Sequence, residues 1–166
     1  RRMTALSSFY TIGNQIVEAL RQHKRVTKNQ ARAKAIEVLE AVGMPDPQTQ
    51  MESYTFELSG GQRQRAMIAM ALMTNPRLLI ADEPTTALDV TTQVVILDLM
   101  RTIQKKFEMS ILFITHDLGV VSEIADEVVV MYLGEVVESG PLEQIFSKPR
   151  HPYTRALISA APHYAV

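Results

Sequence analysis

Cysteine is absent from the 166 residues, and aromatic residues make up only 6% of them. Without cysteine the chain can contain no disulfide, no thiolate nucleophile and no cysteine-held iron–sulfur cluster, which is compatible with a reducing cytosol. The longest hydrophobic runs, Ala66 to Met73 and Val128 to Leu133, fall far short of the roughly 20 residues that a membrane-spanning helix needs. Basic and acidic residues almost cancel, 17 against 18, so overall charge predicts binding to neither nucleic acid nor anionic lipid.

The N-terminus lacks two further features. Arg1-Arg2 is followed by a short, hydroxyl-rich stretch and not by an apolar segment, so no export signal is predicted. The chain also opens on arginine instead of an initiating methionine, and we therefore expect it to be a piece of a longer protein. With 46% hydrophobic residues it is nevertheless long enough to bury about two thirds of its unfolded surface in a core.

The first 76 residues are predicted to be helical. Apolar residues recur at the helical period from Ile12 to Leu20, and a second helix is framed from Thr27 to Val42. Thr27 and Gln30 have the spacing of a capping box, and Gly43 suits the left-handed position that ends a helix. A third helix begins near Ser59 and ends before Pro76.

After Pro76 short, nearly continuous apolar runs alternate with helical segments. The runs Leu78 to Ala81, Ile111 to Ile114 and Val128 to Tyr132 predict strands buried on both faces, and the alternation predicts a parallel sheet. The segment from Glu127 to Glu138, interrupted at Gly134, predicts a hairpin. We therefore expect an α/β fold with a helical region over residues 1–76, a sheet region over 77–140 and a proline-punctuated C-terminal extension over 141–166.

Two adjacent carboxylates, Asp82 and Glu83, end the first of these strands. Open α/β sheets bind ligands at the carboxyl ends of their strands. One carboxylate could orient a hard cation through its water shell while the other acts as general base on an attacking water. The alternative is a solvated strand end, because acidic residues beside a proline such as Pro84 are common in turns.

The segment Ser59-Gly60-Gly61-Gln62 leads directly into the third helix. Two glycines at a helix N-terminus let backbone N–H groups converge on an anion that the helix dipole also favours. Ser59 and Gln62 also have capping-box spacing, so this segment could serve only to start the helix. We favour an anion site because capping needs no paired glycines, each of which costs roughly 1 kcal/mol relative to alanine.

Two further polar residues stand near these strand ends. His116 follows the second strand and could reach the same ligand as Asp82 and Glu83, although a lone histidine is more often structural. Asp89 follows the carboxylate pair closely, and its alternative role is to cap the helix that begins near Thr91.

Taken in order, these segments resemble the ATP-binding subunit of an ABC transporter. Each motif is short, but four in order at suitable spacings are very specific, and the similarity covers nearly the whole chain. The C-terminal segment and the residues around Ile80 to Val90 are similar to importers of oligopeptides, dipeptides and nickel. The four motifs are Leu58-Ser59-Gly60-Gly61-Gln62, Leu78 to Pro84, Ala87-Leu88-Asp89 and Thr115-His116-Asp117, and the C-terminal segment similar to the importers is Lys148-Pro149-Arg150-His151-Pro152-Tyr153-Thr154.

The resemblance implies a role for each site residue. Ser59 to Gln62 would be the signature loop, Asp82 the magnesium-orienting Walker B carboxylate, Glu83 the catalytic base, Asp89 the D-loop residue and His116 the switch histidine. It also implies ATP and Mg²⁺ as cofactors, a second ATP-binding subunit and membrane permease subunits as partners, no nucleic acid, and a peripheral position on the cytoplasmic face of the membrane. Residues 1–76 would then be the signature-motif subdomain and residues 77–140 the Walker B and switch part of the core.

The chain departs from this family at its start. None of the seven glycines precedes a lysine, so the phosphate-binding Walker A loop is missing, and Arg1 and Arg2 stand where the family would place an acidic residue and a proline. The simplest account is the C-terminal part of an importer ATPase, predicted to be inactive alone. Two alternatives stay open, namely an ABC-type ATPase of DNA repair or chromosome maintenance, whose long heptad insertions this chain lacks, and a non-catalytic interaction module.

Overall fold

A computed structural model describes residues 6–86 and 88–160. The described chain divides into two compact units, the first ending at Ile114 and the second beginning at Thr115. Residues 1–5, Ala87 and residues 161–166, which the sequence analysis placed in the helical region, the D-loop and the C-terminal extension, lie outside the described residues. The three-part division at residues 76 and 140 stays a prediction.

The first unit begins with helices that end where the sequence predicts. They are α1 (Ile12–Arg21), α2 (Lys28–Ala41), α3 (Pro47–Gln50) and α4 (Gly60–Leu72), with a 3₁₀ turn at Thr55–Glu57 before α4. The capping box of α2 is confirmed, because Thr27 Oγ1 accepts from the Gln30 N–H and Gln30 Oε1 accepts from the Thr27 N–H. Gly43 has the predicted left-handed backbone, with φ of 69°. The short helix α3 was not predicted; Pro47 begins it, because proline is tolerated in a first turn.

The core of this unit lies between α1, α2 and α4. Each helix contributes side chains with no exposed surface, including Ile16, Leu39, Ile68 and Leu72. The segment after α3 closes over α1, since the Met51 carbonyl accepts a 2.9 Å hydrogen bond from the Gly13 N–H. The helical pattern therefore positions a compact bundle immediately before the sheet.

Two parallel strands form the predicted sheet. Strand β1 (Leu78–Asp82) leads through α5 (Val90–Lys106) to β2 (Ser110–Ile114), and the two pair in register from Leu78–Ser110 to Asp82–Ile114. Leu79 and Ala81 are buried, but Leu112 and Ile114 are 48% and 43% exposed. The expectation that these strands are buried on both faces is therefore wrong for β2 and for β1, whose Leu78 is also exposed, because the described residues supply only two strands to this sheet.

The second unit contains the predicted hairpin. Helix α6 (Leu118–Ile124) precedes the antiparallel strands β3 (Glu127–Tyr132) and β4 (Glu135–Pro141), and Leu133 and Gly134 form the turn with φ of 50° and 83°. Two consecutive positive φ values give the turn that matches strand twist, which explains the glycine. Val129, Met131 and Val136 are more than half exposed. The expectation that Val128 to Tyr132 is a strand buried on both faces of the parallel sheet is therefore wrong, because β3 pairs antiparallel with β4 in a separate two-stranded sheet.

The C-terminal extension folds into two helices on this hairpin. They are α7 (Leu142–Ser147) and α8 (Pro152–Ser159), and their Ile145 and Ile158 join Val130 in a small core. The Glu138 carboxylate accepts from the Arg150 and His151 N–H groups at 2.8 and 3.0 Å, and His151 Nδ1 caps α8 by accepting from the Tyr153 N–H. The prolines thus separate two helices and do not leave an irregular tail.

No helix within residues 6–86 and 88–160 is both long and apolar enough to cross a bilayer.

Candidate functional site

The carboxylate pair lies at the carboxyl end of β1, as predicted. Asp82 is the last residue of the strand and pairs with Ile114 of β2. Glu83 leaves the strand with a left-handed backbone, φ 51°, and its N–H donates to the Ile114 carbonyl at 2.8 Å. A non-glycine residue in this region is uncommon and is held there only by its surroundings.

The loop that follows holds the Glu83 side chain. The Thr86 hydroxyl donates to Glu83 Oε2 at 2.6 Å, and the Thr86 N–H donates to the Glu83 carbonyl at 3.2 Å. Pro84 and Thr85, between them, are buried. No pattern in the sequence indicates this contact, because a threonine three residues after a glutamate is ordinary turn composition.

Asp89 caps α5. Its Oδ1 accepts from the Thr92 N–H at 2.9 Å and its Oδ2 accepts from the Thr92 hydroxyl at 2.6 Å. These two hydrogen bonds, the side-chain one first, hold the pKa of Asp89 below its usual value. The capping role is therefore present, and the D-loop role toward nucleotide stays a prediction.

The capping box of α4 is also present. Ser59 Oγ accepts from the Gln62 N–H at 3.2 Å, and Gln62 Oε1 accepts from the Ser59 N–H at 2.9 Å. Gly60 and Gly61 occupy the first turn, whose N–H groups have no acceptor within the helix. An anion could therefore approach them at the positive end of the helix dipole.

The two glycines also pack against the loop and helix that follow Glu83. A Cβ on Gly61 would lie 3.0 Å from Thr92 Cγ2, and one on Gly60 would lie 3.4 Å from Leu88 Cδ2. The structure thus brings the predicted signature loop and the predicted D-loop together within the first unit. Packing supplies a reason for Gly61 that the sequence analysis did not consider.

His116 belongs to the second unit, two residues after β2 ends. Its neighbours form a local turn, in which the Thr115 hydroxyl accepts from the Asp117 N–H and Asp117 caps α6. The prediction that His116 reaches the ligand of Asp82 and Glu83 stays a prediction.

The carboxylate pair fits part of a magnesium site. Within residues 6–86 and 88–160 no group of three or more acidic or histidine side chains could hold a metal ion. Mg²⁺ keeps several waters and is bound in phosphate sites by one or two carboxylates plus the phosphates themselves. One or two carboxylates at this strand end therefore fit a magnesium site that phosphates complete, and the role of Asp82 as a magnesium ligand stays a prediction.

A groove and an aromatic patch in the helical region were missed by the sequence analysis. The groove has a volume of about 690 Å³ and is lined by residues of α1 and the segment before it, among them Tyr10, Asn14 and Glu18. The patch contains four exposed aromatic residues, which the Thr11–Tyr54 bridge and a hydrogen bond from the Thr55 hydroxyl to the Ser7 carbonyl bring together. They are Phe9, Tyr10, Tyr54 and Phe56, between 40% and 88% exposed, with Tyr54 and Phe56 stacked at 5.5 Å. The available signal in the sequence was four aromatic residues that do not belong to the apolar period of any predicted helix.

The parallel strands β1 and β2 with two carboxylates at the end of β1, and a helix that begins in two glycines, are features of a partial P-loop NTPase of the α/β class. Comparison with known families agrees. The family model described as "ABC transporter" matches residues 6–86, and that described as "Oligopeptide/dipeptide transporter, C-terminal region" matches residues 137–165. Residues 6–86 are thus similar to the ABC transporter family, and residues 137–165 to the C-terminal region of its oligopeptide and dipeptide transporters.

Individual proteins show the same similarity. A putative peptide import ATP-binding protein of Brucella melitensis is 57% identical over 160 residues, which are 96% of this chain and 47% of that protein. The oligopeptide transport ATP-binding protein OppD of Bacillus subtilis is 54% identical over 96% of this chain and 45% of its own length. The chain therefore spans about half the length of these relatives.

A solved structure extends the comparison to three dimensions. The dimeric bacterial ABC transporter cassette MJ0796 matches with a TM-score of 0.72 and 27% identity, over 85% of this chain and 62% of that one. A second structure of that cassette is a post-hydrolysis state bound to ADP and Pi. The fold class predicted from the sequence is confirmed.

Proposed function

We propose that the complete subunit containing this chain binds and hydrolyses ATP to energise an importer of peptides or a similar small solute. The observation that supports this best is the pair Asp82–Glu83 at the carboxyl end of β1, held by β2 and by the following loop. The Brucella relative is named as a peptide import ATP-binding protein, and OppD as an oligopeptide transport ATP-binding protein.

The two carboxylates divide the work in this proposal. Asp82 orients Mg²⁺ through its water shell, and Glu83 accepts the proton of the water that attacks the terminal phosphate. His116 contacts that phosphate or the water. Bound Mg²⁺ supplies charge neutralisation to the phosphates, and the loop that grips them is one that this chain lacks.

A second ATP-binding subunit completes the site. Ser59, Gly60, Gly61 and Gln62 would act on the nucleotide held by that subunit, with Asp89 near the same interface. Two observations support this: the first-turn N–H groups of α4 form an anion-favouring helix end, and the similar cassette MJ0796 is described as dimeric.

The permease contact is proposed for the helical region between Thr11 and Tyr54. Most of the groove beside α1 is lined by this region, and the exposed aromatic patch lies at its two ends. Exposed apolar patches with polar rims mark protein interfaces. Closure of the ATP-bound dimer would drive the permease through this surface. The subunit would then lie peripherally on the cytoplasmic face of the membrane.

The two other functions fit less well. The match of residues 137–165 to a transporter C-terminal region favours an importer over an ATPase of DNA repair or chromosome maintenance. DNA binding that weakens steeply with salt would revive the repair hypothesis.

The substitution Glu83→Gln in the complete subunit tests the proposal. The amide keeps the shape but cannot accept a proton, so we expect turnover to fall by about 10²–10⁴ while ATP is retained in the closed dimer. Glu108→Gln is the control, because Glu108 is another glutamate with a left-handed backbone, φ 49°, in the same unit. Steady-state ATPase near the wild-type rate in Glu83→Gln would refute the proposal.

The chain alone is proposed to be inactive. A helix N-terminus contributes roughly 0.3–1 kcal/mol to anion binding and at most about 2, whereas millimolar affinity alone needs about 4 kcal/mol. Calorimetric titration of Mg-ATP into the purified chain should therefore give no measurable 1:1 isotherm. Micromolar affinity accompanied by hydrolysis would contradict this.

A further inference from the structure

We infer that Thr86 is a positioning residue for Glu83, because its hydroxyl fixes one oxygen of the carboxylate that the proposed function uses as general base. This inference rests on the proposed function. The hydrogen bond from Thr86 Oγ1 to Glu83 Oε2 is 2.6 Å long, a short distance typical of a hydroxyl that donates to a charged oxygen.

The backbone beneath this contact is already fixed. The Glu83 N–H donates to the Ile114 carbonyl of β2, and the Glu83 carbonyl accepts from the Thr86 N–H, so the turn is anchored to the sheet and closed on itself. The side chain of glutamate keeps three rotatable bonds beyond that backbone. Fixing Oε2 therefore sets the direction in which Oε1 faces, and a general base acts only from within hydrogen-bond reach of the proton that it accepts.

A purely structural role explains the Thr86 side chain less well. Its backbone N–H alone closes the turn, and its side chain is exposed and contributes little to packing. Valine at this position would keep the branched shape and the backbone hydrogen bond while removing only the hydroxyl. Thr86→Val thus separates the positioning role from the turn.

The contact also links the base to the signature loop. Thr86 lies in the segment that continues to Leu88, whose side chain packs beside Gly60. The Leu88 N–H also donates to the Thr85 carbonyl at 3.2 Å. The position of the base is in this way tied to the surface that the proposed function gives to the second subunit.

The test uses the complete subunit with Thr86→Val, Thr86→Ser and the control Thr102→Val, which removes a hydroxyl that donates to the Asp98 carbonyl within α5. We expect kcat for ATP hydrolysis to fall about tenfold to a hundredfold in Thr86→Val, the cost of a misplaced catalytic group. The KM for ATP should stay within about twofold, because nucleotide binding does not use this hydrogen bond. Serine restores the donor and should restore kcat, and the control should behave as wild type.

Single-turnover hydrolysis in a Glu83→Gln background completes the design. Because Thr86 acts through the Glu83 carboxylate, Thr86→Val should add no further loss there. A wild-type kcat in Thr86→Val, an equal loss in the Glu83→Gln background, or failure of serine to restore the rate would each overturn the inference. Near-normal turnover of Glu83→Gln alone is a separate result, which would overturn the proposed function and this inference with it.

Discussion

Gly13→Ala should destabilise the helical region although alanine is the better helix former. Gly13 is buried in α1, where alanine would by propensity alone contribute about 1 kcal/mol to the free energy of unfolding. A Cβ at this position would lie 2.6 Å from the Met51 carbonyl oxygen and 2.9 Å from Met51 Cε. The methionine side chain can turn away, but the carbonyl belongs to the backbone.

The size of the effect follows from that carbonyl. It must retreat by about 0.8 Å to reach an ordinary van der Waals separation, and this would stretch the hydrogen bond that it accepts from the Gly13 N–H, now 2.9 Å. Overpacking costs about 1–3 kcal/mol and loss of the hydrogen bond about 1 kcal/mol. After the gain in propensity, we expect a net loss of about 1–3 kcal/mol.

Urea-induced unfolding of the complete subunit measures this loss. Asn14→Ala is the matched control, because Asn14 is the next residue of the same helix and its side chain is exposed. The control should be neutral or slightly more stable than wild type, by a few tenths of a kcal/mol. If Gly13→Ala were as stable as Asn14→Ala, the close approach of Met51 would not be what requires glycine.

Two further outcomes follow from the site and the C-terminal extension. Ser59→Arg in the complete subunit should abolish turnover by blocking phosphate approach while leaving the affinity of the monomeric subunit for nucleotide intact; if that affinity collapsed, Ser59 would belong to the subunit's own site. The N–H groups of Arg150 and His151, the Arg150 one first, donate to the Glu138 carboxylate and hold its pKa below the usual value near 4.5. A carboxyl group whose pKa is lower in the folded than in the unfolded chain stabilises the fold at pH values above its unfolded pKa. The contribution of Glu138 should therefore be lost as the pH falls below about 4.5 and through the pKa of the folded state. Hydrogen exchange at the Arg150 amide, corrected for intrinsic rates, should show this acid loss in wild type and not in Glu138→Gln, and equal pH dependence in both would contradict it.

The features that were predictable from the sequence are those set by neighbouring residues. The capping boxes at Thr27–Gln30 and Ser59–Gln62 depend on a spacing of three residues, and the hairpin turn at Gly134 depends on a backbone that glycine adopts readily. The strand end at Asp82–Glu83 was predictable because an apolar run stops there.

The unpredicted features join residues that are distant in sequence or that need an unfavourable backbone. The contact between Gly61 and Thr92 and the approach of Met51 to Gly13 exist only after the helices pack. The left-handed backbone of Glu83 opposes the intrinsic preference of glutamate, so no pattern could indicate it. The exposure of Leu112 likewise depends on what lies beside the sheet and not on the hydrophobicity of β2.

At Glu83 the residue that turnover requires under the proposed function is not the residue that the backbone conformation favours. A side chain at positive φ costs roughly 1–2 kcal/mol relative to glycine, which adopts this region readily. Under the proposed function, Glu83→Gly would therefore yield a protein that is inactive and yet more resistant to unfolding. A library of variants sorted only for thermal tolerance would enrich the inactive glycine, and glutamate would persist at this position only under selection for turnover.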